Sequence, residues 1–450
     1  METFLELRAK HPVFTYESFS YAVHEGALHI EWVFSLAPDI VFRPKLQIPT
    51  PDNYSLESLD SFVFSIGMVE LLSYWKAACS PTIIVKAGSL SPEQLEFWRD
   101  LLIHGMGEYF FQNDIDFAAP GFVEMQVVGE AQFMAQSKQE SENRIPKNLL
   151  LVGGGKDSVV ALETVKATGE QAQVLLVNPT PAAIEVSRIA GYEQPIVVSR
   201  AIDPLLLELN ERGYLNGHTP FSALLAFIAA LVAQLNGFNQ LVVGNERSSD
   251  EGNINWREQE INHQYSKSQV FEAKVRDYIK QNLSEEITYF SLLRPLYELQ
   301  IARGFSQFPQ YFDHFLSCNR SKTTWCRNCP KCLFTFCALA PFVGLDKTIT
   351  IFGGDVLRNL DLIPLVDASL NETNPKPFEC VGTREETRMA LCLCVPLYGD
   401  QLPPVLAYAH KHYVLEKNES CGHLELVHSW GNDSALPDSI REQLQRIITL

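Results

Sequence analysis

The chain has 450 residues, 46% of them hydrophobic and 20% charged, which suits two or three globular domains with ordinary cores. Lys plus Arg number 36 against 54 for Asp plus Glu, and the net charge of −18 repels phosphate backbones, which argues against a constitutive nucleic-acid binder. The N-terminus has charges where an export signal needs an apolar core, and the longest apolar stretch, 221–235, falls short of the roughly 20 residues of a membrane span. The expectation is a cytoplasmic protein with no nucleic-acid or membrane partner.

In chain order, residues 28–34 alternate as a strand, 56–75 carry helical periodicity, and 83–85 form a short β-branched run. Ser91, Pro92 and Gln94 open another helix as N-cap, first-turn proline and capping-box partner. No chemical motif falls here, so 1–143 is read as an α+β domain that shapes a substrate site. Residues 136–147 are polar and nearly free of large apolar groups, as a linker or surface loop would be. Beyond it strand and helix alternate: 149–152, 174–177 and 241–243 as strands, 159–168 and 221–235 as helices. That alternation predicts an α/β domain over 144–340, a parallel sheet with helices on both faces whose ligands bind at the carboxyl ends of its strands. The remainder, 341–450, is expected to pack on that domain. His410, His412, His423 and His428 lie there at spacings that suit surface or core positions better than a ligand set.

Between the first of these strands and its helix stands Gly153-Gly154-Gly155-Lys156-Asp157-Ser158. Three glycines let the backbone turn sharply and bring N–H groups near an anion, and the helix adds its positive N-terminal end. A P-loop is excluded, because Leu150 stands where its first glycine belongs and Asp157 replaces its hydroxyl residue. A dinucleotide fingerprint is excluded by Ser158 at the third glycine position and by Asn178 in place of an acid ending the second strand. What remains resembles the PP-loop, Ser-Gly-Gly-x-Asp-Ser, of the N-type ATP pyrophosphatases, with Gly153 in place of the usual first serine. The resemblance implies an adenine nucleotide alpha hydrolase-like fold whose loop, Gly153 to Ser158 with Asn178 beside it, binds ATP. By the same resemblance Asp157 would lie near Mg²⁺, Lys156 would offset charge and Ser158 would donate to phosphate. A glycine-rich turn without catalytic meaning is the plain alternative.

Four of the ten cysteines, Cys318, Cys326, Cys329 and Cys332, crowd together as C-x7-C-x2-C-x2-C. In a large chain without an export signal such clustering favours a metal site over disulfides, and four thiolates make a closed, structural Zn²⁺ site. Cys326, Cys329, Cys332 and Cys337 approach ferredoxin spacing, but the last gap is one residue too long and no proline follows, so zinc is preferred to an iron–sulfur cluster.

Three further polar segments complete the pattern: Gly244 to Asp250 after a strand, Asn262 to Ser268, and Lys376 to Thr383. Each alone also reads as a solvated loop. Together with the glycine loop, the cysteines and the N-terminal region they resemble the ATP-dependent UDP-N-acetylmuramoyl-L-alanyl-L-glutamate epimerases of certain bacteria, over nearly the whole chain and least after Tyr398. The resemblance implies a UDP-linked muramoyl dipeptide as substrate, adenylated on its glutamate α-carboxylate before proton removal and return, with AMP and pyrophosphate released. Glu379 and Cys380 are then candidate bases, His263 and Lys267 proton donors or phosphate partners, and Glu246 and Arg247 ligands for Mg²⁺ and carboxylate. The competing classes are a ligase or sulfur-inserting PP-loop enzyme acting on a nucleoside or tRNA, and a non-catalytic nucleotide-binding regulator. Oligomeric state is not legible.

Overall fold

The structure is a computed structural model describing residues 3–52, 55–56, 59–131, 133, 146–414 and 425–449. Most of the polar stretch read as a linker, 136–145, lies outside the described residues, as does His423. Contacts divide the chain into two compact units: 1–149, 196–241 and 255–289 make the first, and 150–195, 242–254 and 290–450 the second. Both are discontinuous in sequence, because the chain crosses between them within β-strands as well as in loops.

The first unit begins with α1 (Phe4–Lys10) and a ladder of β1 (Val13–His24), β2 (Ala27–Leu36), β3 (Ile40–Phe42) and β4 (Lys45–Pro49). β2 pairs antiparallel with β1, β3 and β4. Its alternation has the expected result: Leu28, Ile30, Trp32, Phe34 and Leu36 are buried, while His29 between them is exposed. Helix α2 (Asp60–Trp75) follows, starting later than periodicity predicted. Then come β5 (Thr82–Val85), α3 (Pro92–Gly105), α4 (Gly107–Gln112) and β6 (Glu124–Val127), with β5 parallel to both β1 and β6. The capping box of α3 is formed as read: Gln94 N donates to Ser91 Oγ at 3.2 Å and Ser91 N to Gln94 Oε1 at 2.8 Å.

Strand β7 (Lys147–Leu151) leads into the second unit, where α5 (Lys156–Thr168), β8 (Gln171–Val177) and α6 (Pro181–Ile189) follow. The chain then returns to the first unit with β9 (Ile196–Ala201), α7 (Pro204–Glu211) and α8 (Phe221–Asn236), and β9 pairs antiparallel with β4. Helix α8 is apolar on nearly every side and is buried accordingly, from Ala223 to Leu235. Strand β10 (Gln240–Val243) crosses between the units. After β11 (Ile254–Trp256), β12 (Gln259–Ile261) and α9 (Gln269–Asn282), β13 (Thr288–Ser291) crosses again. The rest of the chain builds the second unit with α10 (Glu298–Phe305), α11 (Pro330–Val343), α12 (Leu345–Phe352), α13 (Ile363–Leu370), α14 (Arg384–Tyr398) and further helices to Thr449. In that unit the strand ends run in the order β13-β10-β7-β8. The result is a mixed α/β fold, a large sheet flanked by helices. No helix among the described residues is long and apolar enough to cross a membrane.

Candidate active site

The glycine loop spans the gap between β7 and α5, and each glycine there meets a different constraint. Gly154 has φ +90°, and a Cβ on it would lie 2.5 Å from the backbone N of Ala183 in the first turn of α6. Only glycine fits that position. Gly155 is the N-cap of α5, and a Cβ there would meet Ser317 Oγ at 2.5 Å. A Cβ on Gly153, in contrast, meets nothing within 4 Å. The helix therefore starts at Lys156, three residues before the apolar periodicity, because Gly155 caps it. Ser158 Oγ accepts from the N–H groups of Gly153 at 3.0 Å and Gly154 at 3.2 Å, which leaves its own hydrogen to donate elsewhere. Asn178 sits at the exit of β8 with φ 45°.

Lys156 does not reach solvent. It is 1% exposed and ion-pairs with Asp157 Oδ1 at 2.5 Å and with Glu298 Oε2. Burial opposes its charge, but Asp157 and Glu298 outweigh burial and hold the ammonium well above its usual pKa. Glu298, equally buried, has its carboxyl raised by burial and then by Asp157, with Lys156 and Lys331 pulling the other way. Lys331 Nζ is 3.8 Å from Glu298 Oε1. Asp157, Glu298 and the buried Glu246 thus face two lysines, an excess of negative charge that a divalent cation would relieve.

The segment after β10 is tied into the same unit. Arg294 Nη1 donates to the Glu246 carbonyl at 2.8 Å, and the Arg247 guanidinium stacks 4.5 Å over the Tyr297 ring. Ser248 Oγ donates to Glu386 Oε2 at 2.6 Å, and the other oxygen of Glu386 accepts from Leu299 N at 3.2 Å, near the start of α10. Burial raises the Glu386 carboxyl as well. Lys376 Nζ bridges to Glu251 at 2.9 Å, which brings the segment from 376 against the one from 244.

The cysteines meet just beside this loop, where Leu316 N donates to Gly154 O at 3.0 Å. The sulfurs of Cys318, Cys326, Cys329 and Cys332 all lie within 4.8 Å of one another, and Cys326 and Cys332 are 3.7 Å apart. Tetrahedral zinc, with Zn–S about 2.3 Å, needs sulfurs about 3.8 Å apart, so the set fits that ion. An iron–sulfur cube would hold its cysteines much farther apart, and Cys337 is instead engaged with Cys394, whose Sγ approaches its carbonyl at 3.5 Å. Cys329 caps α11, and its thiol falls to about 5, chiefly because the Cys332 thiol donates to it. Between these ligands Lys331 N donates to Glu379 Oε2 at 3.0 Å, while its Nζ reaches the Cys380 carbonyl. Burial and the neighbouring Cys329 raise the Glu379 carboxyl.

Of the residues singled out from sequence, Gly153 to Ser158, Asn178, Glu246, Arg247, Glu379, Cys380 and the four cysteines belong to the second unit, and His263 and Lys267 to the first. His263 Nδ1 bonds Glu108 Oε2, and its ring centroid is 4.4 Å from that of His218. Burial, then His263, Lys76 and Lys267, depress His218 to about 3, so it is neutral. Sequence reading missed Glu298, Lys331 and Glu386 in the second unit and Glu108 and His218 in the first.

The site is thus a strand-to-helix glycine loop with a buried lysine among carboxylates, on a mixed α/β scaffold. Comparison with known proteins goes further. The MurL N-terminal domain profile matches residues 6–292 and the MurL C-terminal domain profile residues 314–410. The chain belongs to the MurL family. It is 34% identical over 393 residues to the UDP-N-acetyl-alpha-D-muramoyl-L-alanyl-L-glutamate epimerase of a Micromonospora strain, covering 84% of this chain and 86% of that one. The protein of that name from Salinispora tropica is 33% identical over 408 residues, 88% and 87% of the two chains. That from Xanthomonas oryzae pv. oryzae is 35% identical over 337 residues, 73% of each.

Proposed function

We propose that this chain is a cytoplasmic epimerase of peptidoglycan precursor synthesis, converting the L-glutamate of UDP-N-acetylmuramoyl-L-alanyl-L-glutamate to D-glutamate at the expense of ATP. The names of its relatives support the reaction. The observation that carries the ATP step is the loop, where Gly154 admits no side chain and Ser158 organises two amides while keeping a hydrogen to donate. This favours the PP-loop assignment of the fold.

The chemistry follows from charge. An ionised carboxylate opposes loss of its α-proton, because the enolate would carry two negative charges. In the proposed sequence the glutamate α-carboxylate oxygen attacks the α-phosphorus of ATP, forming a C–O–P bond as the bond to pyrophosphate breaks. The acyl-adenylate then loses its Cα proton to a base, regains a proton on the other face, and is hydrolysed by water to AMP and the inverted product. Asp157 and Glu246 would hold Mg²⁺, which would neutralise phosphate charge. Lys156 keeps the loop's carboxylates compensated from below. The four cysteines would hold a structural Zn²⁺. For proton transfer we assign Glu379 ahead of Cys380, since burial and then the neighbouring Cys329 raise its carboxyl.

Incubation with Mg-ATP and the UDP-muramoyl dipeptide in deuterated water tests the whole reading. AMP, D-glutamate in the product and deuterium at its Cα are expected. AMP without inversion would instead support a ligase, and absence of turnover in a metallated, folded sample would overturn the assignment.

A further inference from the structure

We propose that Glu108, His218 and His263 of the first unit form a second metal site, for a divalent transition-metal ion bound by nitrogen and oxygen. The three residues come from separate parts of that unit: Glu108 from α4, His218 from the loop before α8, and His263 from the loop after β12. Their convergence is a product of the fold and not of local sequence. One carboxylate oxygen is the common point. Glu108 Oε2 bonds His263 Nδ1 and lies 3.5 Å from His218 Nδ1, and one ligand atom from each of the three residues lies within 4.8 Å of the others.

An ion with ligand distances of about 2.0–2.2 Å in a tetrahedron needs donors about 3.3 Å apart, within reach of small side-chain rotations. The surroundings already hold the donors in place. Gln112 Nε2 donates to Glu108 Oε1 at 2.7 Å, which fixes the carboxylate and leaves Oε2 for the ion, the usual work of an outer partner at a metal site. Lys76 Nζ donates to the Gly217 carbonyl at 2.7 Å and so anchors the backbone next to His218. The carboxylate has its own need for a cation. Glu108 is only 7% exposed, and the groups within salt-bridge reach of its carboxylate are the two imidazoles, of which His218 is neutral.

Two imidazoles and one carboxylate suit zinc or ferrous iron with at least one position open to water or another oxygen ligand. The four-thiolate cluster is by contrast closed. Lys76 and Lys267 place positive charge near His218. The second ion is therefore expected to bind more weakly than one in the thiolate cluster and to leave first when a chelator is added.

The test uses the full chain, stripped with chelator and titrated with Co²⁺, with metal counted by elemental analysis and the ligand type read from absorption. Wild type is expected to take two cobalt ions per chain, one with an intense thiolate-to-cobalt band and one with weak d–d bands only. His218→Ala and His263→Ala should each lose the second ion and keep the thiolate band. The isosteric Glu108→Gln, which disturbs folding least, should weaken the second site by more than about tenfold. A single cobalt per chain in wild type, or a second cobalt that persists in all three variants, would overturn the proposal. Neither outcome depends on epimerase activity, so failure of this site and failure of the proposed reaction are separable.

Discussion

Replacing Gly154 by alanine probes the loop between β7 and α5 most directly, because two independent penalties coincide at that residue. Its φ of +90° lies where side chains are disfavoured, at about 1–2 kcal/mol for an L-residue. The new Cβ would also stand 2.5 Å from Ala183 N, a backbone atom pinned by the Thr180 cap of α6 at 3.2 Å, and accommodating it should add about 1–3 kcal/mol. The sum, about 2–5 kcal/mol, will appear either as lower stability or as a loop driven from its ligand-ready shape. In the latter case apparent ATP affinity falls by about 30-fold or more. Gly153→Ser is the matched control: its Cβ meets open space, so stability should change by less than about 0.5 kcal/mol. It also restores the serine usual in the PP-loop motif, and turnover should survive. AMP release with the muramoyl dipeptide, together with thermal unfolding, measures both effects. Full activity and an unchanged melting temperature in Gly154→Ala would refute the account of the loop.

Other expectations follow from the buried charges and thiols. Glu298→Gln leaves Lys156 with Asp157 alone and should cost about 3 kcal/mol in urea unfolding, the low end for a broken buried pair. Cys329→Ser removes a proposed metal ligand while its Oγ can still cap α11, so elemental analysis should find one zinc fewer per chain and the unfolding temperature should drop through loss of the ion alone. Asp100, in α3, is lowered to about 2: burial opposes this, but His104, Lys274 and Tyr265 outweigh it. A depressed carboxylate stabilises the fold above its unfolded pKa and loses that contribution as pH falls through the folded one. Asp100→Asn should thus cost about 1–2 kcal/mol at pH 7, discounted for partial exposure, and the gap in urea midpoint from wild type should narrow from pH 5 to pH 3.

What was legible in the sequence was local. Six consecutive residues make the glycine loop, and three cysteines in one short run plus a fourth nearby make the cluster, so spacing alone brings the groups together. Strand alternation at 28–34 and the cap at Ser91 are equally short-range. Glu298 meets Lys156 across 142 residues, and Ser248 meets Glu386 across 138, pairings that periodicity cannot express. Glu298 and Glu386 each sit in the first turn of a helix, where an acid reads as a favourable end charge and draws no notice. Glu108, in a short helix, reads as a solvent-facing residue for the same reason. His218, in Asn216-Gly217-His218-Thr219, left one signal that was passed over: an imidazole in a polar turn just ahead of a wholly apolar helix. The interleaving of the two units was hidden for a related reason, since it depends on which strands pair and not on composition.

Lys331 stands in α11 between Cys329 and Cys332, with its amide on Glu379 and its ammonium between the Cys380 carbonyl and Glu298. The first turn of that helix carries two of the clustered sulfurs and places a cation beside Glu298, the partner of Lys156 in the glycine loop. If those cysteines hold an ion as proposed, a chain that failed to acquire it would leave Glu298 with one counterion adrift. If the cysteines take up zinc and the glycine loop takes ATP, as proposed, metal supply during synthesis would set what fraction of the molecules in a cell is active.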